Sequence, residues 1–392
     1  MYPTKKLWEV WEITTWYTPS KNNQEFWWWK TLFVKPPHLK GWNIITYTEE
    51  TLSDLWRKKW KLIKKNSIMV CCIGSLWKVW IAWEELCTNQ QINSIYFDEK
   101  IVNFKYWYYF CITLEKTMNL MANKAVVAII NKSLFSTIPI PLPPLPTQKL
   151  IVQKLDQAFE KIDKNINLTK ENLKILEELN KSVLEKVFSE WEYERKKLWE
   201  VCDFKNWYAF KSNEFNEKWN WLQVIRIWNV LNLNKNIVFI NENIKFNEFK
   251  LFQNDIIIGL TWTRQKRDYL LPWIILENNK YYLNQRVWRL RPLENLFYKF
   301  LYFYLKTDLF RDKIFVYETW TVNQWNLSWK DILNQIIPLP PLQKQKEIVS
   351  YLDQVFEKNK ELKTKYEEQL KELEEMKQSL LKDAFEGKLV KE

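Results

Sequence analysis

The chain has 392 residues, a formal net charge of +12, 47% hydrophobic residues and a single histidine, His38. This length allows two or three domains with proper cores, and the basic excess indicates an anionic partner. No signal peptide and no run of 18 apolar residues is visible, so we expect a cytoplasmic protein. The single histidine nearly excludes histidine-based catalysis and a histidine-rich metal site.

The chain begins with a block of short strand-like runs separated by loops. Apolar runs predict strands over residues 65–74 and 91–97. The five cysteines include the neighbours Cys71 and Cys72 but no CxxC, so we expect reduced, packed thiols. This pattern predicts a compact α/β head with a strongly twisted sheet.

The stretch KNNQEFWWWK, residues 21–30, places three tryptophans in what reads as a polar loop. The chain has 25 tryptophans and 4 glycines, whereas average usage of about 7% predicts roughly 27 glycines. Several tryptophans stand in turn contexts, where positive φ or close backbone approach favours glycine. We interpret many of them as glycines in the living protein, from a bacterium that reads UGA as glycine; the alternative is an unusually tryptophan-rich protein. In this interpretation Trp27 is genuine, and Trp28 and Trp29 are glycines of a turn.

A proline hinge and a long helix follow the first block. PLPPL at residues 141–145 cannot lie inside a helix, because its prolines lack a donor and fix φ. Beyond it, apolar residues at alternating steps of four and three predict a heptad seam. The seam positions are Ile151, Leu155, Ala158, Ile162, Leu176, Leu179 and Val183, with polar residues at Asn165, Thr169 and Asn172.

The second half of the chain repeats this plan. KKLWEV at residues 5–10 recurs at 196–201, and PLPPL recurs at 338–342. LDQAFEK at residues 155–161 becomes LDQVFEK at 352–358. Matches in the same order indicate a duplicated unit of variable block, proline hinge and long helix.

The second block has predicted strands over residues 223–230 and 254–260 and a predicted helix over 295–307. Neither long helix has a seam wide enough to be buried alone. We therefore expect the two to pack together, antiparallel because each leads away from its own block. The second seam comprises Ile348, Leu352, Val355, Leu362, Tyr366, Leu373, Met376 and Leu380, with polar residues at Asn359 and Gln369.

Charge separates the helices from the blocks. Residues 148–190 and 345–392 together have a net charge of −2, so the remainder carries +14. Basic blocks at the ends of a helical spacer favour two binding heads. The predicted fold class is α/β (α+β), with two α/β heads and two long helices packed as an antiparallel coiled coil. The predicted domains are head 1 at 1–145, helical spacer 1 at 146–192, head 2 at 193–340 and helical spacer 2 at 341–392.

These motifs resemble the specificity subunit of type I restriction-modification systems over essentially the whole chain. PLPPL followed by Gln-x-x-Ile-Val and a coiled-coil helix occurs twice. KKLWEV matches the family's domain opening when Trp8 and Trp199 are read as glycine. NWYAFKS (206–212), CIGSLWKVWIA (72–82) and IRIWNV (225–230) fit family segments in the same way.

The resemblance implies two target-recognition domains that read a split, asymmetric double-stranded DNA sequence, one half per head. It also implies that the helices hold two methyltransferase subunits and that restriction subunits join through the complex. S-adenosylmethionine, ATP and Mg are then expected in the partner subunits. For this chain the resemblance implies no cofactor, no metal and no catalytic residue.

Loops flanked by the reinterpreted glycines are the expected DNA-contacting segments. TRQKR at residues 263–267 is the strongest, because three cations and an amide cluster there; the alternative for each residue is a solvated loop position or a turn-capping amide. His38 and the cysteines are assigned structural roles. The DNA-binding candidates are Thr18, Ser20, Lys78, Asn89, Gln90 and Gln91 in the first head, and Lys211, Arg264, Lys266, Arg267, Gln285, Arg286, Thr321, Asn323 and Gln324 in the second.

Two other functions stay open: a stand-alone DNA methyltransferase or nuclease, and a coiled-coil scaffold with no DNA role. The sequence has no GxxxxGK[ST] phosphate loop and no Asn/Asp-Pro-Pro-Tyr/Phe segment, since KPPH at 35–38 lacks the acidic or amide start. Methyl transfer without a partner would favour the enzyme. Equal binding to DNA and to a neutral polymer at low salt would favour the scaffold.

Mass spectrometry of the native protein tests the recoding. We expect glycine at positions 28 and 29, and tryptophan at both would contradict the interpretation. A chain expressed literally, with tryptophan throughout, is expected to misfold or aggregate, because tryptophan clashes at positive φ and adds exposed apolar area. Restoring glycine should rescue soluble expression, and no difference between the two versions would weaken the interpretation.

Overall fold

The computed structural model divides into two compact units. Unit 1 comprises residues 1–169 and 367–392, and unit 2 comprises residues 170–366. The described residues are 2–15, 18, 20–39, 45–55, 62–73, 78–114, 130–189, 193–205, 208–216, 221–230, 232–233, 236–259, 261–263, 270–315, 319–321, 324–326 and 329–390. The domain boundaries given above stay a prediction.

Unit 1 holds the first head. Its strands are β1 Thr4–Lys6, β2 Glu12–Thr15, β3 Trp27–Val34, β4 Thr51–Leu52, β5 Ile68–Cys71, β6 Val79–Ile81, β7 Cys87–Thr88, β8 Ile92–Tyr96 and β9 Pro139–Pro141. Its short helices are α1 Leu7–Val10, α2 Phe104–Thr113 and α3 Lys132–Ser136. The strands predicted over 65–74 and 91–97 are confirmed, because β5 and β8 lie within them.

Unit 2 holds the second head, and the chain enters it along the long helix α4, Leu145–Ser189. Its strands are β10 Arg195–Lys197, β11 Cys202–Lys205, β12 Leu222–Ile225, β13 Phe239–Ile240, β14 Lys250–Leu251, β15 Ile256–Gly259, β16 Thr261–Thr263, β17 Pro272–Ile274, β18 Tyr281–Leu283, β19 Val287–Pro292, β20 Thr319–Thr321, β21 Gln324–Asn326 and β22 Ile336–Pro338. Its helices are α5 Leu198–Val201, α6 Tyr298–Leu305, α7 Asp308–Phe315, α8 Trp329–Leu333 and the long α9 Leu342–Phe385, whose last part belongs to unit 1.

Two of the three elements predicted for the second block are confirmed. β15 lies within residues 254–260, and α6 lies within 295–307. The strand predicted over 223–230 is only half right, because β12 ends at Ile225 and a 3-10 turn follows. The side chain of Asn229 favours that turn, since its Oδ1 accepts a hydrogen bond from the Arg226 backbone N–H at 3.0 Å.

The two heads contain the same four-stranded antiparallel sheet. Its strand order is β2-β8-β5-β6 in unit 1 and β11-β19-β15-β17 in unit 2. Each head also has a second sheet with one parallel pair, β3 with β7 in the three-stranded sheet of unit 1 and β12 with β18 in the four-stranded sheet of unit 2. The duplication read from the sequence is therefore also a duplication of topology.

The four-stranded antiparallel sheet of each head is buried on both faces. In β15, Ile256 and Ile258 pack in one core with Phe300 of α6, whereas Ile257 packs in another with Tyr282 of β18. Successive side chains of a strand point to opposite faces, so a continuous apolar run suits a strand between two layers. The run Ile-Met-Val-Cys of β5 is divided between two cores in the same way.

In unit 1, the first part of α4 packs antiparallel against the last part of α9. Lys377 forms an ion pair with Asp163. Thr169, further along α4, donates from Oγ1 to Oε1 of Gln369 at 3.4 Å. The partner on α9 moves toward its N-terminus as the contact moves along α4, so the helices run in opposite directions.

In unit 2, the remaining parts of the same helices are also antiparallel. Lys363 lies 3.6 Å from the carboxylate of Glu177. Asn359 donates from Nδ2 to Oδ1 of Asn180 at 2.6 Å. The predicted antiparallel coiled coil is thus confirmed within each unit.

The seam differs from the predicted one near the middle of both helices. Leu179, Leu362 and Met376 are 46%, 41% and 52% exposed, so their assignment to the seam is wrong. Asn180 takes the place next to Leu179 and pairs with Asn359. An α-helix drifts relative to a strict seven-residue repeat, and the amide pair fixes which residues face inward. Seam positions that are buried as predicted are Ile151, Leu155, Ile162, Leu176, Ile348 and Leu352.

A fully buried glutamine joins each long helix to its head. Gln148 accepts the Asn103 N–H at 2.9 Å and donates to the carbonyls of Ile101 and Pro143 at 3.0 and 2.8 Å. The two loops and the helix start are thereby held by one side chain.

Gln345 makes the same three contacts in unit 2. It accepts the Phe297 N–H at 2.7 Å and donates to the carbonyls of Asn295 and Pro340 at 2.9 and 2.8 Å. Both glutamines stand at the same position after PLPPL. The proline hinge therefore ends in a buried amide that satisfies backbone groups of the head.

The tryptophan run lies in a strand, so the predicted turn at Trp28 and Trp29 is wrong. Trp27 and Thr31 both pair with Leu52, which leaves a register irregularity in β3 between them, and a glycine inside a strand often marks such a bulge. Trp27 is buried and donates from its indole to the Ser20 carbonyl at 3.2 Å. None of the described tryptophans has positive φ, so the recoding stays a prediction.

Among the described residues, the helices include none that is both long and apolar enough to cross a bilayer. All five cysteines are free and buried. Burial raises the pKa of the Cys72 thiol to about 12 and raises that of Cys71 as well. These thiols have the packed, unreactive character expected from the sequence.

Replacing Gln345 with leucine tests the junction. The substitution leaves the Phe297 N–H and two carbonyls without a partner in a buried site, and each such group costs about 1–3 kcal/mol. We expect Gln345→Leu to lower the free energy of unfolding by about 3 kcal/mol in urea titrations, and Gln148→Leu to do the same in unit 1. Gln343→Leu, at an exposed position of the same turn, should change it by less than about 0.5 kcal/mol. Equal effects at positions 343 and 345 would contradict this role.

Candidate nucleic-acid interface

Most candidate residues of unit 1, all except Ser20, meet at one end of the β2-β8-β5-β6 sheet. Thr18, beyond the end of β2, donates from Oγ1 to Oε1 of Gln90 in the loop before β8. In that loop Asn89 donates from Nδ2 to Oε1 of Gln91 at 2.9 Å, and its Oδ1 accepts the Gln91 N–H at 3.2 Å. Thr18 and Gln90 are exposed, whereas Asn89 is buried. Asn89 therefore shapes the loop, while Thr18 and Gln90 face solvent.

Lys78 lies at the same end of the sheet. Its carbonyl accepts the Cys71 N–H at 2.9 Å, and the Gln91 carbonyl accepts the Cys72 N–H at 2.8 Å. The backbones of Lys78 and Gln91 thus flank the end of β5. The structure brings together candidates that are separate in the sequence.

Ser20 belongs to a turn held by Trp27. Its carbonyl accepts hydrogen bonds from the Trp27 indole and from the Asn23 N–H, both at 3.2 Å. Its side chain is exposed, and Oγ accepts the Asn22 N–H at 3.4 Å. The buried indole positions the turn that presents this hydroxyl.

In unit 2, Gln285 and Arg286 form an exposed turn directly before β19. Asn284, which precedes them, pairs in parallel with Tyr208 in the segment after β11. Lys211 follows in that segment and is exposed. Arg286 has a φ of 66°, a left-handed conformation that is strained for a non-glycine residue.

Three short strands place two further candidates of unit 2, Thr321 and Gln324, directly opposite each other. Thr321 of β20 and Thr263 of β16 both pair with Gln324 of β21. The TRQKR run begins at Thr263, so it starts beside this hairpin. Arg264, Lys266, Arg267 and Asn323 lie outside the described residues.

The candidates occupy equivalent loops in the two heads. The loop before β8 corresponds to the turn before β19, and the segment after β2 corresponds to the one after β11. The Asn89 N–H donates to the Val34 carbonyl at 3.2 Å, and the Asn284 N–H donates to the Ile225 carbonyl at 3.2 Å. The same sheet end is therefore polar in both heads, with different side chains in each.

Sequence reasoning missed two cations at these sheet ends, Lys35 and Arg226. Each directly follows the strand of the parallel pair, β3 or β12. The signal was a basic residue directly after an apolar strand run. The Lys35 N–H donates to Nδ1 of His38 at 2.9 Å, and the Arg226 N–H has the equivalent bond to Asn229. His38 therefore caps a turn, which confirms its structural assignment.

The side chains of these cations have local partners. Lys35 lies 2.6 Å from a carboxylate oxygen of Glu50, and its hydrogen bond lowers the pKa of Glu50. Arg226 donates from Nη2 to the Asn236 carbonyl. Both side chains are only partly buried. Arg226 adds positive charge beside the candidate loops, whereas the charge of Lys35 is paired with Glu50.

Two arginines of β19 serve the fold instead. Arg291 donates from Nε and Nη2 to the buried carboxylate of Asp255 at 2.6 and 2.8 Å, and this hydrogen bonding raises the pKa of Arg291. Arg289 pairs with Asp203, and burial lowers the pKa of Arg289. These two arginines are paired with carboxylates within the fold, so they do not contribute to the positive charge of the loops. The exposed loops present amides, hydroxyls and cations, which can bind base edges and phosphates.

A family profile matches most of the chain. The type I restriction modification DNA specificity domain aligns with residues 2–178 and again with 189–372. The HindI specificity subunit of Haemophilus influenzae is 32% identical over 162 residues, which are 40% of this chain and 35% of that protein. The EcoBI specificity subunit of Escherichia coli is 28% identical over 192 residues, 49% of this chain and 38% of that protein. The matched part thus spans little more than a third of these two relatives.

More distant relatives match over greater lengths. The MjaVIII specificity subunit of Methanocaldococcus jannaschii is 26% identical over 314 residues, 74% of this chain and 71% of that protein. A chain solved in a study of complex assembly and conformational transition of the type I R-M system has a TM-score of 0.80 at 20% identity, covering 99% of this chain and 98% of that one. The HsdS subunit of Thermoanaerobacter tengcongensis has a TM-score of 0.61 at 20% identity, covering 99% and 97%. These structures show the same fold.

Glycine substitutions in the Gln285-Arg286 turn test the strain. Arg286→Gly removes a left-handed conformation that costs about 1–2 kcal/mol for an L-residue, partly offset by the chain entropy of glycine. We expect it to raise the free energy of unfolding by up to about 1 kcal/mol. Gln285, whose φ lies outside that region, is the control, and Gln285→Gly should lower stability by about 0.5–1 kcal/mol. Differential scanning calorimetry measures both, and a larger loss at 286 than at 285 would contradict the assignment.

Proposed function

Because this chain belongs to the type I restriction-modification DNA specificity family, we propose that it reads a bipartite, asymmetric DNA site, one half with each head. The observation that carries the proposal is the duplicated sheet end, where the same loops of both heads present exposed polar and basic side chains. The side chains differ between the heads, which supports two different half-sites. A chain with two identical heads would favour a palindrome.

Physical chemistry suggests a division of labour within each head. Lys78 and Lys211 carry the charge that attracts phosphates and sets the register on DNA. Gln90 and Gln285 have amides, which can bind adenine with two hydrogen bonds in the major groove. Two heads in one chain would fix the separation of the half-sites, so the bases between them need no contact.

We further propose that the long helices hold two methyltransferase subunits and that restriction subunits join through the resulting complex. The balanced charge of the helices suits protein contacts better than DNA contacts. In this arrangement the chain itself is not an enzyme, S-adenosylmethionine, ATP and Mg belong to the partner subunits, and the complex works in the cytoplasm. The family relationship supports these assignments.

Substitution of one glutamine in each head tests the reading of DNA. In a complex with the cognate methyltransferase subunits, we expect Gln90→Ala to relax base preference in one half-site only and Gln285→Ala in the other. Each lost base contact should cost about 1–3 kcal/mol of discrimination. Methylation motifs mapped by single-molecule sequencing, together with DNA affinities at several salt concentrations, measure both effects.

Lysine substitutions provide the matched comparison. Lys78→Ala should weaken binding to all sequences and reduce the salt slope by about 1. Lys100→Ala should change neither, because Lys100 lies in the turn that follows β8, at the opposite end of the sheet. A palindromic motif, or one glutamine substitution that alters both halves, would contradict the proposal.

A further inference from the structure

A capped 3-10 turn, Ile244–Phe249, comes directly before β14 in the second head. Oδ1 of Asn243 accepts the Lys245 N–H at 3.1 Å, and its carbonyl accepts the Phe246 N–H at 2.9 Å. Phe246 and Phe249 are buried in the core that also includes side chains of β12 and β18. The cap and the two buried rings hold this turn in place.

Strand pairing places the turn at the sheet end of the candidate loops. β12 and β18 are parallel, so Arg226 and the Gln285-Arg286 turn, which come after them, lie at the same end. β14 is antiparallel to β18, and Lys250, its first residue, lies opposite Tyr282. The 3-10 turn before β14 therefore also lies at that end.

Tyr208 connects the 3-10 turn with the Gln285-Arg286 turn. Its backbone pairs with Asn284, and its ring centroid lies 5.0 Å from that of Phe246 and 5.2 Å from that of Phe249. Tyr208 is 38% exposed. The two turns thus belong to one continuous surface, with an aromatic side chain that contacts both.

The 3-10 turn presents one apolar and one cationic side chain to solvent. Ile244 is 85% exposed, and no other described large apolar residue has a higher exposed fraction. Lys245 is exposed as well, and its Nζ lies 4.7 Å from the centroid of the Phe246 ring. An isoleucine in this position adds nothing to the core, so its place on a capped turn beside basic loops suits contact with a ligand.

The two carboxylates in and next to the 3-10 turn are already paired. Glu242 lies 2.5 Å from the ammonium of Lys250, and Glu248 pairs with Lys205. Lys245 has no carboxylate partner among the described residues. Its charge adds to that of the neighbouring candidate loops, and a positive surface matches the charge of DNA.

We propose that the Ile244–Phe249 turn is a further DNA-contacting element of the second head. The inference rests on the proposed function and names the residues and the base contact that it adds. Lys245 binds a phosphate, and Ile244 contacts the 5-methyl group of a thymine in the major groove. That methyl group distinguishes thymine from cytosine, so an apolar contact there carries sequence information. Tyr208 supports the turn from the side of the Gln285-Arg286 turn.

Replacement of thymine by uracil tests the Ile244 contact, because uracil lacks only the 5-methyl group. Each thymine of the half-site that Gln285→Ala assigns to the second head is replaced in turn. Fluorescence anisotropy then measures DNA binding by the complex with the cognate methyltransferase subunits. We expect one replacement to weaken binding of the wild type about fourfold, the effect of one buried methyl group. Ile244→Ala should bind the two DNAs equally, and Ile244→Val should retain the difference.

Lysine substitutions test the phosphate contact. Lys245→Ala should reduce the slope of log Kd against log salt concentration by about 1, and Lys245→Arg should keep it. Lys280 precedes β18, at the opposite end of its sheet, and Leu276 is 70% exposed beyond the end of β17. Lys280→Ala and Leu276→Ala are therefore the matched controls, and neither should change the salt slope or the effect of uracil.

Unchanged uracil sensitivity in Ile244→Ala, or an unchanged salt slope in Lys245→Ala, would overturn the assignment of the turn and leave reading by Gln285 intact. The same conclusion would follow if no thymine of that half-site responds to replacement. A wild-type complex without sequence preference would overturn the proposed function and this inference together. The uracil comparison is made within one variant, so a loss of active protein does not alter its result.

Discussion

One buried amide in each unit sets the relation between a recognition head and its long helix. Gln148 and Gln345 each satisfy one N–H and two carbonyls from two loops of their unit. Such groups are costly to leave unpaired in a core. An ion pair reinforces each junction, Lys105 with Asp156 at 2.7 Å and Lys299 with Asp353 at 2.6 Å. These contacts fix the direction in which each long helix leaves its head. The packing of the two long helices within each unit therefore depends on them.

In each head, the buried sheet provides stability, and the exposed loops at its end hold the candidate DNA-binding residues. The four-stranded sheets are buried on both faces by apolar runs, so their loops can vary without disturbing the core. Asn89 and Asn284 hold equivalent loops through the same backbone bond, whereas their neighbours Gln90, Gln285 and Arg286 are exposed. A fixed frame with variable side chains suits the proposed reading of two different half-sites. The strained φ of Arg286 lies in such a loop, directly before β19.

The pattern of apolar residues predicted the positions of strands and helices well, but it predicted turns and seam positions less well. β5, β8, β15 and α6 lie inside the predicted ranges, because long apolar runs bounded by polar residues have few alternatives. The prediction of a turn at Trp28 and Trp29 was wrong, because β3 pairs with β4 although the residues before the tryptophans are polar. The assignment of Leu179 and Leu362 to the seam was wrong, because a strict seven-residue repeat ignores the drift of an α-helix. In the structure, the hydrogen-bonded pair Asn180 and Asn359 lies between the helices instead. The sequence patterns also did not predict side chains that cap turns. Asn229 accepts the Arg226 N–H and forms a turn where the apolar run predicted a continued strand.

The sequence by itself determined the duplication, the two heads, the paired helices and the family, because these depend on repeated motifs and on periods that survive without coordinates. It also placed polar candidates in loops, but not beside one another. Only the tertiary structure decided that Thr18, Lys78 and Gln90 meet at one sheet end and that Lys35 and Arg226 stand next to the loops. Such juxtapositions depend on strand pairing and helix register between residues far apart in the chain, and local sequence patterns do not encode them.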